Sequence, residues 1–173
     1  EDALVIIGTT KDELGGSEYY EFVHDFIGGK APKINLSESK KNMDSVLSVI
    51  QSGMVKAAHD CAKGGLAIAI SELCMASQIG CTVSLDKVPK EKLDNAKTLF
   101  SESHSRYLLV VEKSKLDSVL GKLKKKNIAH SQIGSFQGNE IIFSDKKNHV
   151  AKLRVDKAHE KWFNSLRELV LHG

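Results

Sequence analysis

Met54-Val55-Lys56-Ala57-Ala58-His59-Asp60-Cys61-Ala62-Lys63-Gly64-Gly65-Leu66-Ala67-Ile68-Ala69-Ile70 is the stretch whose reading decides the fold. Residues 54–58 form a short strand running into His59-Asp60, and the glycine pair Gly64-Gly65 opens a helix to about residue 79. The helix has apolar positions at Leu66, Ala69, Ile70, Leu73 and Ala76, with Ile68, Met75 and Ile79 on a second side. A helix apolar on more than one side is buried on more than one side. Strand, polar turn and buried helix in succession indicate an α/β chain with helices packed on a sheet.

Working outward, Ala3-Leu4-Val5-Ile6-Ile7 reads as a fully buried strand. Ser17 caps a helix with an apolar face of Tyr19, Phe22, Val23 and Phe26, which Gly28-Gly29 stops. Ser37 or Ser39 begins a helix on Met43, Val46, Leu47 and Ile50, ended by Gly53. Residues 81–85 alternate like a strand, and 92–100 suit a short helix. Residues 106–112 make a strong strand around Leu108-Leu109-Val110-Val111, followed by an amphipathic helix over 114–126. Residues 130–136 and 140–144 read as a hairpin around Gln137-Gly138-Asn139. Residues 149–155 alternate as a strand with one wet side. A last helix, about 157–171, is expected to bury Trp162, Leu166, Leu169 and Val170. The whole is expected to be one domain, 1–173, with a mixed β-sheet. A buried strand beginning at residue 3 suggests a domain of a larger polypeptide.

Composition bounds the function. A net charge of +3 is mild for a chain of 173 residues, and the one basic run, 122–126, sits at a helix end, so no nucleic-acid partner is expected. No apolar run nears the ~20 residues of a membrane span, and no signal peptide is visible. The three cysteines, Cys61, Cys74 and Cys81, have no CxxC spacing, which argues against a disulfide framework and a zinc site and suits a cytoplasmic protein with reduced thiols.

Three segments carry candidate chemistry. Gly15-Gly16-Ser17 precedes a helix start, where exposed amides can hold an anion; helix capping alone also accounts for it and is the more common use. His59-Asp60 with Lys63-Gly64-Gly65 lies at a strand end facing a helix start, the edge where α/β proteins bind ligands. His59 suits an acid, a base or a ligand contact. Asp60 suits either a magnesium ligand or a helix cap. Ser101-Glu102-Ser103 offers hydroxyls and a carboxylate to a polar ligand, or Glu102 pairs with Arg106 across the surface. A metal-dependent hydrolase built on His24-Asp25 and His59-Asp60 lacks further ligands in the sequence.

In this order the three segments resemble the C-terminal half-domain of the phosphoribosylformylglycinamidine synthase (formylglycinamide ribonucleotide amidotransferase) family. The stretches that carry the likeness are Ile7 to Tyr20 with its ELGGSEYY core, His59-Asp60 with Gly64 to Glu72, and Leu99 to Glu102 with Arg106. The wider superfamily includes aminoimidazole ribonucleotide synthetase, selenophosphate synthetase, thiamine-monophosphate kinase and a hydrogenase maturation factor. The resemblance implies an aminoimidazole ribonucleotide synthetase C-terminal-domain-like fold. It implies a ligase of de novo purine synthesis in which ATP activates the formyl amide oxygen and glutamine-derived ammonia displaces phosphate. ATP and Mg²⁺ would serve the full enzyme, with neither expected to bind tightly to this domain alone. Partners would be the ATP-binding and sister domains of the same synthetase, and a glutaminase and a small accessory subunit or their fused equivalents. The resemblance places this copy in the auxiliary half of a tandem duplication, which makes a scaffold role the main alternative. Two departures stand out: Ala62-Lys63 replaces the family's Ser-Asp before the glycine pair, and Ser105 replaces the glycine before Arg106. A cation at residue 63 cannot ligate magnesium.

Overall fold

A computed structural model describes residues 1–146 and 148–172. The apolar run at the start forms β1 (Asp2–Ile7), which is paired on both sides and antiparallel to both neighbours. Its side chains alternate between two separate cores. Leu4 and Ile6 belong to one and Val5 and Ile7 to the other, so the run is apolar throughout because the sheet is covered on both faces.

The sheet has seven strands in the order β2-β4-β1-β5-β3-β6-β7. They are β2 (Val55–Asp60), β3 (Cys81–Ser84), β4 (Tyr107–Glu112), β5 (His130–Phe136), β6 (Glu140–Asp145) and β7 (Asn148–Arg154). On one face lie α3 (Gly65–Ser77), α4 (Asn95–Phe100) and the start of α6 (Val155–His172), joined through Leu66, Ile70, Leu73, Leu99 and Val155. On the other lie α2 (Leu36–Gln51) and α5 (Leu116–Lys125), joined through Val46, Val49, Val119 and Leu123. The mixed sheet with helices packed on it agrees with the sequence reading, and the structure adds that both faces are covered.

The expected hairpin does not form. β5 and β6 flank the turn as read, but β3 lies between them, antiparallel to β5 and parallel to β6. The opening is held at Gly80, whose N–H donates to the Gly138 carbonyl at 2.8 Å while its carbonyl accepts from Gln137 N at 2.9 Å. A Cβ on Gly80 would lie 2.3 Å from the Glu140 carbonyl oxygen, so only a bare backbone passes here.

Three helices also differ from expectation. Asn35, rather than a serine, caps α2, its Oδ1 accepting from Glu38 N at 3.1 Å. The buried face of α2 is Asn42, Ser45, Val46 and Val49, and Met43, Leu47 and Ile50 are exposed. The face turned inward is the one whose polar groups have partners: Asn42 Nδ2 donates to the Ser105 carbonyl at 3.0 Å and Ser45 Oγ to the Lys41 carbonyl at 2.7 Å. Helix α1 (Glu18–His24) is capped by Ser17 as read, but it stops at Asp25 in the left-handed region before Gly28 and buries none of its residues; Phe22 is 81% exposed. Trp162, Leu169 and Val170 of α6 are exposed rather than buried, and the side chain of Leu166 lies outside the described residues.

Gly80→Ala should therefore cost about 2 kcal/mol or more, because backbone on two sides must move. Gly138→Ala should cost only about 1 kcal/mol, since that residue has φ +64° but open space around it. Urea unfolding of the two variants checks the order.

Candidate functional site

Strand alternation separates His59 from Asp60. His59 pairs in register with Leu108 on the α3 face, and its Nε2 lies 3.3 Å from Glu72 Oε2 of α3. A hollow of about 290 Å³ there is bordered by Trp162 and His159 of α6. Asp60 points instead into a cleft of about 700 Å³ that also takes in Cys61, Lys63, Glu102, His104 and Arg106. The sequence reading treated His59 and Asp60 as one pair; the period of two along β2 puts them on opposite faces.

Arg106 is the anchor of the cleft. It is 1% exposed, and its guanidinium donates to the carbonyls of Ser103 and Ser101 and to Thr10 Oγ1 at 3.1 Å. It does not pair with Glu102 across the surface, as the spacing allowed. Burial pushes its pKa down, with Cys61, Glu13 and Glu102 acting in the opposite direction, and a guanidinium stays charged in any case. The loop from Ser101 to Ser105 folds back around this side chain, and Ser105 takes φ +63° to close it. The Ser105 hydroxyl is buried and has no partner among the described residues.

That loop aims the three acceptors inward. Ser101 Oγ accepts from Glu13 N at 3.4 Å and Ser103 Oγ from Lys11 N at 2.9 Å. Glu102 Oε1 accepts from Glu18 N at 3.0 Å and from Gly64 N at 2.8 Å. All three candidate segments therefore meet at Glu102. Lys63, read as part of the ligand-binding edge, extends its Nζ to Glu18 Oε1 at 2.6 Å, a hydrogen bond that raises the lysine pKa.

The glycine segments fit closely around this centre. Gly16 N donates to the Gly28 carbonyl at 2.8 Å, and Ser17, itself buried, accepts from Tyr20 N at 3.3 Å. Gly15 lies against the backbone of Lys30. A Cβ on Gly65, which has φ +64°, would stand 2.6 Å from the Ser101 carbonyl oxygen. Sequence reasoning missed Thr10, Glu18 and Asn42. Thr10 and Glu18 stood inside the first motif, but nothing in the spacing joined Thr10 to residue 106 or Glu18 to residue 63 or 102.

The loop yields two expectations. Ser105→Gly should stabilise the fold by about 1 kcal/mol, relieving left-handed strain and an unpaired hydroxyl against a smaller entropy cost, and should raise Tm by about 2–4 °C. Arg106→Ala should cost about 3–5 kcal/mol, since it strips donors from three buried acceptors and leaves a void; calorimetry reads both. Burial pushes the Cys61 thiol up to about 11 from 9.0, with Arg106 opposing and Asp60 adding. Its contribution to stability is complete below pH 9 and is lost as pH rises through about 11, because only the unfolded chain ionises between the two values. Iodoacetamide at pH 8 should leave Cys61 unlabelled in the folded protein and label it in urea.

Residues 1–145 match the family model described as AIR synthase related protein, C-terminal domain. The phosphoribosylformylglycinamidine synthase subunit PurL of Alkaliphilus metalliredigens is 38% identical over 98% of this chain, and that of Methanococcus aeolicus 36% identical over 98%. The chain spans 22% of the length of each of these curated relatives. Among solved structures, Thermotoga maritima PurL complexed with FGAR superposes with a TM-score of 0.79 at 23% identity, over 91% of this chain and 28% of that one. Escherichia coli HypE, a hydrogenase maturation protein, gives 0.64 at 17% identity, over 88% of this chain and 48% of that one. At these identities the superpositions speak for the fold, and the match over residues 1–145 decides the family: the chain belongs to the AIR synthase related proteins, as their C-terminal domain.

Proposed function

We propose that residues 1–173 form one domain of the synthetase that converts formylglycinamide ribonucleotide and glutamine-derived ammonia to the amidine at the expense of ATP, a ligase of purine biosynthesis in the cytoplasm. The observation that carries the reading is the meeting of the three motif segments at Glu102, which lines the cleft, in a chain 38% identical to a PurL subunit along nearly all of its length. In this reading a second domain of the same polypeptide covers the cleft and supplies most ATP contacts. A glutaminase and a small accessory subunit, or fused equivalents, deliver ammonia. No helix among the described residues is long and apolar enough to cross a membrane.

His59, Asp60, Lys63, Gly64, Gly65, Ser101, Glu102, Gly15, Gly16 and Ser17 remain the proposed contact set, in three parts. Asp60 and Lys63 line the open cleft and are placed to meet a polar ligand. Ser101, Glu102 and the glycine segments shape it from behind. His59 faces the other side of the sheet, where it would act on a neighbouring domain rather than on the cleft ligand. ATP, when bound, supplies the phosphoryl group that turns an amide oxygen into a leaving group. Among the described residues no group of three or more His, Cys, Asp or Glu side chains is placed to hold a metal ion. Asp60 is a single carboxylate, so this chain alone does not fit magnesium. The ion that accompanies ATP would take its other ligands from the nucleotide and from outside this chain.

A second reading is favoured by the internal pairing of the amides at Glu18 and Gly64: this copy serves as the supporting half of the synthetase. The two readings part in one experiment. The full-length polypeptide should form ADP only when both formylglycinamide ribonucleotide and ammonium are present. Lys63→Ala or Asp60→Ala should raise a substrate KM by about three-fold or more if the cleft is used, by loss of one charge-assisted contact. Unchanged kinetics in both variants, with normal folding, would assign the cleft to support. The 173-residue chain alone should bind ATP weakly or not at all by calorimetry, and submicromolar binding would overturn the shared-site arrangement.

A further inference from the structure

We propose that Glu102 is the positioning residue of the cleft, a resident carboxylate that fixes the turn before α3 against the loop after β1. The proposal rests on the synthetase reading for its kinetic consequence but not for its structural one. A single oxygen, Oε1, accepts the N–H of Gly64 at 2.8 Å and the N–H of Glu18 at 3.0 Å. The two donors lie 46 residues apart, one at the cap of α3 and one at the first residue of α1. The main chain of Glu102 joins the same loop, its N–H donating to the Glu13 carbonyl at 3.1 Å.

Chemistry favours a carboxylate here. Two amides converging on one point carry partial positive charge, and an anion pairs with them better than a neutral group does. Helix starts in nucleotide-binding proteins present such amides to a phosphate; here the chain supplies its own anion. The consequence is geometric. Asp60 and Lys63 sit on the turn that ends at Gly64, and Lys63 reaches Glu18, whose amide is the other donor. With Glu102 in place, the stretch that carries Asp60 and Lys63 keeps a fixed position against the 101–106 side of the cleft. Without it, the turn and the loop are joined by the exposed Lys63–Glu18 pair, which solvent screens.

The test uses the full-length polypeptide with Glu102→Ala and Glu102→Gln, the second keeping an oxygen acceptor at the same reach. Amide hydrogen exchange is followed in peptides spanning 14–20, 61–66 and 2–7. In Glu102→Ala the first two should exchange about ten-fold faster or more while the β1 peptide is unchanged. KM for ATP or for formylglycinamide ribonucleotide should rise about five-fold with kcat within about two-fold, a loss of positioning rather than of chemistry. Glu102→Gln should restore exchange and KM to within about three-fold of the parent. Unchanged exchange at both motif peptides overturns the proposal. So does equal acceleration in the β1 peptide, which would make Glu102 a general fold support. Glu102→Gln as damaged as Glu102→Ala, or unchanged KM values in Glu102→Ala, overturns it as well. If the parent polypeptide shows no ribonucleotide-dependent ATP turnover, the synthetase reading fails, and the exchange measurement alone decides the role of Glu102.

Discussion

The structure around the cleft depends on a buried charge that forms no ion pair among the described residues. Arg106 is almost wholly enclosed, and its donors end on two carbonyls and a hydroxyl rather than on a carboxylate. Taking a guanidinium out of water is costly unless its N–H groups are matched. The loop from Ser101 to Ser105 provides the matching by wrapping its main chain around the side chain. That wrapping fixes which way Ser101, Glu102 and Ser103 point, and they point at backbone amides of the two other motif segments. A hydrogen-bond demand at the first turn before β4 thus sets the relative position of three loops, the outer two of which are joined by bonds spanning 92 and 96 residues.

The sheet supplies the rigid frame for this arrangement. β1 and β4 are buried on both faces, with α3 and α4 on one side and α2 and α5 on the other. The loops after β1 and β2, and the loop before β4, leave the sheet at the same end because β4 runs antiparallel to both neighbours. Close main-chain contacts then draw them together, as at Gly65 against Ser101. Side-chain chemistry is thus carried on loops whose roots cannot move independently.

Much of this was legible in the sequence where a pattern is strong and local. The five-residue apolar run of β1 and the Leu108 to Val111 run of β4 took the form read from their spacing, and α3 formed where read, but of its expected second side only Met75 is buried while Ile68 and Ile79 are exposed. The turn at 137–139 was also read correctly, but its partner strand was not, because a turn signal says nothing of a third strand arriving from residue 81. The faces of α1, α2 and α6 were misjudged for one reason. Apolar periodicity locates a stripe, yet in this chain the stripe of α2 at Met43, Leu47 and Ile50 is turned out, while Asn42 and Ser45 face in with their hydrogen bonds made. At the site, residue types were legible and directions were not. Glu102 and Arg106 stand one helical turn apart in number, but the loop between them is not a helix. Their side chains part, one to amides and one to carbonyls.

The insertion of β3 between β5 and β6 has a consequence for how the chain comes off the ribosome. β1 precedes both of its partners in the chain, and the strands that cover its two edges are residues 107–112 and 130–136, so its backbone groups wait unpaired until those residues are made. β3 is held in the same way until 130–145 appear on both sides of it. Pairings this distant along the chain form slowly and leave apolar edges open to other molecules in the interval. A nascent segment of this kind gains from being shielded until residues 130–145 have emerged.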